Sequence, residues 1–214
     1  MNPFEFPEEI LRYSEDHTSP EDPLLQDLYR TTYLKTVHPQ MISGRVQGQL
    51  LSMLSHMIRP SKILEIGSFT GYSAYCLAQG LADGGKLITI EINEELEDLI
   101  TGFFKKVGLE SRVELIIGDA LEIVPQLKEE FDLIFIDANK EHYPDYFKIC
   151  LNSLKKGGYL LADNVLWGGK VASPGEKDES TLKIQEFNDL VQNEKTLDKV
   201  FLTVRDGLMI ARKK

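Results

Sequence analysis

From Lys62 onward the chain alternates short apolar runs with helix-like stretches, and no other feature narrows its fold so far. The runs KILEI (62–66), KLITI (86–90), RVELII (112–117), FDLIFI (131–136) and GYLLA (158–162) are interleaved with helical patterns at about 72–82, 94–107, 120–129, 141–154 and 178–193. A strand that reads as a near-continuous apolar run is buried on both faces. A helix between two such strands returns the chain to the same end, so the strands lie parallel. The end of the chain reads as a hairpin: KVFLTV (199–204), the turn residues Arg205-Asp206-Gly207, then LMIAR (208–212). The predicted fold is α/β and Rossmann-like, a seven-stranded, mostly parallel sheet with the last strand antiparallel and helices on both faces.

Upstream of this pattern, Pro3, Pro7, Pro20, Pro23 and Pro39 crowd the first 40 residues, so helices there must be short. Leu24, Leu25, Leu28 and Leu34 suggest one amphipathic helix opened by Asp22-Pro23, and a second runs from about Ser43 to Ile58, ahead of Pro60. The expected organisation is a single domain over 1–214, with a helical extension (1–40) on a Rossmann-like core (41–214). A hydrophobic content of 42% supplies one sizeable core for 214 residues. No stretch approaches the roughly 18 apolar residues of a membrane span. The acidic start MNPFEFPEEI lacks the basic and apolar regions of a secretory leader. Cys76 and Cys150 cannot make a disulfide framework, so buried thiols in a reducing cytoplasm are expected. A net charge of −10 weighs against a general nucleic-acid binder. The polar stretch GGKVASPGEKDES (168–180) reads as a mobile loop.

Ligands of open α/β sheets sit beyond the carboxyl ends of the strands. The first such end reads Glu65-Ile66-Gly67-Ser68-Phe69-Thr70-Gly71-Tyr72-Ser73. It lacks the middle glycine of the dinucleotide fingerprint and any basic residue, which argues against a pyrophosphate and against a nicotinamide dehydrogenase. A close-approach turn with Glu65 at its mouth suits a phosphate-free ligand carrying an amine. Glu91, 24 positions after Gly67, falls where a ribose-diol acceptor belongs. Gly118-Asp119-Ala120, after the third strand, is placed to flank an adenine. Together these features describe S-adenosylmethionine.

A second set of residues lies at the ends of strands four and five: Asp137, and the pair Asp163-Asn164. Neighbouring strands are about 4.8 Å apart, so these side chains can converge. Converging carboxylates repel unless a proton or cation intervenes. Two carboxylates and an amide oxygen suit Mg²⁺, with Ca²⁺ or Mn²⁺ as alternatives. His17, His38, His56 and His142 are scattered, and no Cys/His cluster suggests zinc. Simple helix capping by Asp137 and Asp163 is the plainer reading of the same residues. Lys140 follows Asp137 by one helical turn; beside a dication its neutral amine is favoured, which suits a proton acceptor. A dication activates a phenol as it activates water and orients its oxygen toward the sulfonium methyl. Trp167 could wall such a site.

These residues lie in LEIGSFTGYS, GDAL, FIDANKEHY, ADNVLWGG and RDGLMIARK, through which the chain from about Met41 to its end resembles the cation-dependent O-methyltransferases, the group of caffeoyl-CoA and catechol O-methyltransferases. The resemblance implies a class I methyltransferase fold, a metal on Asp137, Asp163 and Asn164, and catalysis by Lys140 as base together with Asp137. It implies donor contacts at Met41, Ser43, Glu65, Gly67, Ser68, Ser73, Glu91, Ala120, Asp137 and Asn139, and a homodimer. Three positions depart from the family pattern. Asn139 replaces the second aspartate of D-A-D-K, Gly168 stands where plant enzymes carry a substrate-touching asparagine, and Val46-Gln47-Gly48-Gln49 lacks the frequent Asp-Glu before Gly-Gln. The expected activity is metal-dependent methylation of a hydroxyl on a small catechol-like or hydroxylated aromatic acceptor. The alternatives are methylation of a wobble hydroxyuridine in tRNA, as some bacterial relatives perform, and a binding module without turnover.

Overall fold

The structure, a computed structural model, describes residues 7–175 and 177–214. Pro3 and the rest of the acidic start lie outside the described residues, as does Glu176 in the stretch read as a mobile loop.

The apolar runs become β1 (Lys62–Ile66), β2 (Lys86–Glu91), β3 (Val113–Ile117), β4 (Phe131–Ile136) and β5 (Leu154–Asp163), followed by the hairpin β6 (Leu197–Leu202) and β7 (Leu208–Lys213). They form one sheet in the order β3-β2-β1-β4-β5-β7-β6. The first five pair in parallel, while β7 runs antiparallel to both β5 and β6. In β4, Leu133, Ile134, Phe135 and Ile136 are all fully buried, as a strand covered on both faces requires. Each such side chain contributes roughly 1.5–3 kcal/mol of burial, which makes the sheet centre the most firmly held part of the molecule.

Helices cover both faces. On one side α6 (Ala120–Leu127), α7 (Tyr143–Ser153) and α8 (Glu179–Asn193) bury Val124, Phe147 and Phe187 against Leu64, Ile134 and Leu160. On the other, α3 (Arg45–Ile58), α4 (Tyr72–Ala78) and α5 (Glu97–Lys106) bury Leu51, Leu77 and Phe103 against Ile63, Leu133 and Phe135. The upstream segment holds α1 (Glu8–Asp16) and α2 (Pro23–Lys35). Asp22 caps α2, accepting the Leu24 N–H at 2.8 Å, and Leu25 and Leu28 join the second core.

Three boundaries differ from the sequence reading for physical reasons. The helix expected over 72–82 ends at Ala78, because Gly80 runs against α3: a Cβ there would meet the Ser55 carbonyl carbon at 2.2 Å. The last strand of the parallel set begins at Leu154 rather than 158, through an irregularity in its pairing with β4 between Phe131 and Leu133. The first strand of the hairpin is shifted by two residues, because Thr203 and Val204 belong to the turn rather than to β6, while β7 begins at Leu208 as expected.

Because β1 lies between β2 and β4, the strand order reverses beside it. The carboxyl ends of β1, β2, β4 and β5 therefore gather around the switch point, where open α/β sheets bind ligands.

Candidate active site

The segment after β1 is stitched to its neighbours by main-chain hydrogen bonds. Gly67 N–H donates to the Ile90 carbonyl and Asp137 N–H to the Ile66 carbonyl, each at 2.9 Å. Gly67 has φ 97°, and a Cβ there would lie 2.0 Å from the Asp137 carbonyl oxygen. Only glycine fits that approach, so the turn after β1 and the tip of β4 share a wall. Phe69 N–H donates to Glu91 Oε2 at 2.8 Å and Asn93 N–H to Glu91 Oε1 at 2.9 Å. Glu91 is thereby fixed, with a lone pair remaining on each oxygen. Glu65 lies beneath the turn rather than at its mouth, fully buried, with Oε2 accepting the Thr89 hydroxyl at 2.5 Å. Burial pushes its carboxyl up to about 8, against the pull of the Ser73 and Thr89 hydroxyls.

Beyond that wall, Asp137, Asp163 and Asn164 occupy the ends of adjacent strands, with Ile136 paired to Ala162. Asp163 is buried, and its carboxyl is raised to about 6 by that burial and then by the charge of Asp137. Lys140 Nζ donates to Asp137 Oδ1 at 3.0 Å and to the Tyr143 hydroxyl at 2.8 Å. That hydroxyl, fully buried, donates in turn to the Asp163 carbonyl at 2.9 Å. The capping reading of the two aspartates does not hold. Asn139 caps the Lys140–His142 turn, accepting the Glu141 N–H at 3.2 Å, and Asp178 caps α8, accepting the Thr181 N–H at 2.8 Å.

The same edge concentrates unmet polar groups and strained backbone. Of the buried side-chain atoms without a partner among the described residues, Gln47 Nε2, Glu65 Oε1, Ser68 Oγ and Trp167 Nε1 border it. Buried polar atoms are almost always satisfied, so such a cluster marks a place built for a ligand. Phe69, Asn164, Trp167 and Arg205 carry positive φ of 50°, 57°, 49° and 50°, a conformation costly outside glycine and concentrated at functional sites. Among the described residues no group of three or more His, Cys, Asp and Glu side chains gathers as a metal cluster. The donors available here are two carboxylates and an amide.

The profile of a family described as O-methyltransferase matches residues 15–214. The chain belongs to that O-methyltransferase family. The caffeoyl-CoA O-methyltransferase of Stellaria longipes is 31% identical over 189 residues, 82% of this chain and 78% of that one. The O-methyltransferase of Bacillus cereus, solved in complex with SAH, matches at a TM-score of 0.89 with 30% identity, covering 96% of this chain and 97% of its own. TomG from Streptomyces achromogenes, an O-methyltransferase involved in tomaymycin synthesis and solved with SAM, matches at 0.89 with 28% identity over 96% of each chain.

In this O-methyltransferase, Ser43, Glu65, Ser68, Ser73, Glu91 and Ala120 are all buried, whereas Met41 is 56% exposed at the end of the Pro39–Met41 turn and Asn139 faces solvent. Sequence reasoning missed Tyr143, the support of Lys140, although it stands one turn beyond that lysine in FIDANKEHY. It also missed Gln47 and Arg205. Arg205 Nη1 donates to the Ser43 carbonyl and to Gln47 Oε1, bringing the C-terminal turn to the start of α3.

Proposed function

We propose that this O-methyltransferase uses S-adenosylmethionine as donor and methylates a hydroxyl of a small catechol-like or hydroxylated aromatic acceptor, with a divalent cation on Asp137, Asp163 and Asn164. One observation carries the reading: through Gly67, the glycine turn and the tip of β4 share a wall, so a donor on one side faces an oxygen cluster on the other. The donor fits the residues present. Glu91 keeps a lone pair on each oxygen for a ribose diol, and Glu65 Oε1 and Ser68 Oγ are buried without partners. The cation fits as well. The charge of Asp137 opposes ionisation of the buried Asp163, and the set contains only hard oxygen donors, which suits Mg²⁺ and, next to it, Ca²⁺ or Mn²⁺.

When bound, such a cation supplies Lewis acidity that lowers the proton affinity of a phenol oxygen. The chain's own side chains do the rest. Tyr143 and Asp137 hold Lys140 Nζ at the cluster, the atom we assign to receive the acceptor's proton. Trp167, partly buried and packed against the core just beyond Asn164, is the side chain we assign to shield the site from water. Attack of an oxyanion on a sulfonium neutralises charge, so a site of low polarity favours it.

A net charge of −10 weighs against the tRNA acceptor, because phosphate binding rests on cations. No helix among the described residues is long and apolar enough to cross a membrane, and the buried thiols of Cys76 and Cys150 suit the cytoplasmic location we infer. We also infer a homodimer, because α3 leaves Met57 exposed beside an apolar-lined cleft.

The test is methyl transfer from S-adenosylmethionine to a panel of catechols, hydroxylated aromatics and bulk tRNA, with Mg²⁺ or with EDTA. Turnover on small catechols should require the metal. Asp163→Ala should lower it by about 100-fold or more while donor affinity, read by calorimetry, stays within a few-fold. Full activity in EDTA would remove the cation from the proposal, and methylation of tRNA alone would replace the acceptor.

A further inference from the structure

Arg205 lies in the turn between β6 and β7, closed by Gly207 N–H donating to the Val204 carbonyl at 2.9 Å. Its φ of 50° is one that glycine would adopt without cost, yet a long cationic side chain stands there, exposed. The turn is tied on both flanks to the candidate site. On one flank Arg205 Nη1 donates to the Ser43 carbonyl and to Gln47 Oε1 of α3. On the other, Asp206 Oδ1 accepts the Gly168 N–H at 2.5 Å and its carbonyl accepts the Leu166 N–H at 2.9 Å, within the segment that follows Asp163 and Asn164. The guanidinium is thereby held between the start of α3 and the segment that follows Asp163 and Asn164, at the rim of the candidate site.

Both acceptors of Arg205 are neutral oxygens, and no carboxylate of the described residues pairs with it. A guanidinium presents five N–H donors in a planar fork matched to a carboxylate, and most of that fork remains uncommitted. In a molecule of net charge −10, with Asp137, Asp163 and Glu91 gathered at this edge, an anionic acceptor would be repelled unless a local cation received it.

We propose that Arg205 binds a carboxylate carried by the aromatic acceptor, so that hydroxylated aromatic acids are the preferred substrates over neutral or cationic catechols; this rests on the acceptor reading above. The methyl donor also carries a carboxylate, and Ser43 stands in the set expected to touch it. The ties of the turn to Gln47 and to the 164–168 segment favour the acceptor as the source.

The experiment compares catechol with protocatechuate, a catechol bearing a carboxylate. Binding is measured calorimetrically on the full chain in the presence of S-adenosylhomocysteine and Mg²⁺, and methyl transfer is followed in parallel with S-adenosylmethionine. The wild-type chain should bind the acid about tenfold or more tighter than catechol, the scale of a charge-assisted hydrogen bond. Arg205→Gly, whose backbone suits the left-handed turn, should bring that ratio near one, and Arg205→Lys should retain part of it. A ratio unchanged in Arg205→Gly overturns the proposal. So does a loss of S-adenosylhomocysteine affinity with the acceptor ratio intact, which would give the guanidinium to the donor. An arginine-dependent preference in binding without methylation of either compound would keep the carboxylate site and sink the acceptor reading. Equal methylation of both by the wild-type and Arg205→Gly chains would do the reverse.

Discussion

Lys140 is a lysine that the fold holds still. An unrestrained lysine samples many rotamers, whereas here Nζ meets Asp137 Oδ1 at 3.0 Å and the Tyr143 hydroxyl at 2.8 Å, and stands 4.8 Å from the centre of the Tyr143 ring. Tyr143 is fully buried and spends its own proton on the Asp163 carbonyl, so one phenol ties the tips of β4 and β5 to the candidate base. It acts as a positioning residue. Tyr143→Phe keeps the ring and its packing against Phe187 but leaves Nζ with Asp137 as its one hydrogen-bond partner among the described residues and the Asp163 carbonyl without that donor. The expected result is a fall in kcat of about tenfold with KM for acceptor changed less than about twofold, plus a stability loss of about 1–2 kcal/mol in a urea titration. Lys140→Ala should lower kcat further without that stability loss. A Tyr143→Phe enzyme that loses stability but keeps its full kcat would reduce Tyr143 to a structural tie.

The elements divide into those that local sequence determines and those settled by distant packing. The parallel strands and Asp22-capped α2 follow from apolar period and capping chemistry, which act within a few residues. The end of α4 at Ala78 depends on Gly80 meeting the backbone of α3, which no local pattern encodes. The candidate site divides in the same way. Glu65, Glu91, Asp137, Asp163 and Asn164 are legible because each stands at a strand end, where alternation stops and chemistry begins. Gln47 and Arg205 are not, because their meeting joins elements 158 residues apart. Helix α3 also bears on assembly. Its Leu54, Met57 and Ile58 line an open cleft of about 450 Å³ together with Tyr159, Leu161 and Ile210, and Met57 is 78% exposed. Apolar side chains line much of this cleft, which lies over the interior strands β5 and β7, and in the homodimer we propose a second copy of the chain would cover it. The mass in solution at about 10 μM should be twice that of the chain, and Met57→Asp should halve it while leaving helix content intact. A wild-type monomer at that concentration would exclude this face as a dimer interface.

At the scale of the whole molecule, the site opposes the stability of the ligand-free fold. Glu65 is pushed from 4.5 up to about 8 and Asp163 from 3.8 up to about 6, both chiefly by burial. Between the ordinary and the raised values the folded chain holds protons that the unfolded chain has released. The contribution of these two groups is therefore fully present below the ordinary carboxylate range and is lost as pH rises through 6 and then 8. The exposed acids Asp27, Asp145, Asp178 and Glu194 are held low by hydrogen bonds and nearby lysines, so their contribution is lost only in strong acid. Without ligands, the stability maximum should thus lie on the acid side of neutrality, with a loss of a few kcal/mol between about pH 5 and pH 9. Denaturant midpoints across that range measure it, and Glu65→Gln, which cannot ionise, should flatten the upper part of the curve. A cationic donor amine near Glu65 and a dication at Asp163 both favour the charged forms, so saturating S-adenosylmethionine and Mg²⁺ should move the maximum toward alkaline pH. If stability instead rose from pH 5 to pH 9 in the free protein, the buried carboxyls would be ionised in the empty fold, and some cation of the chain itself would have to be compensating them.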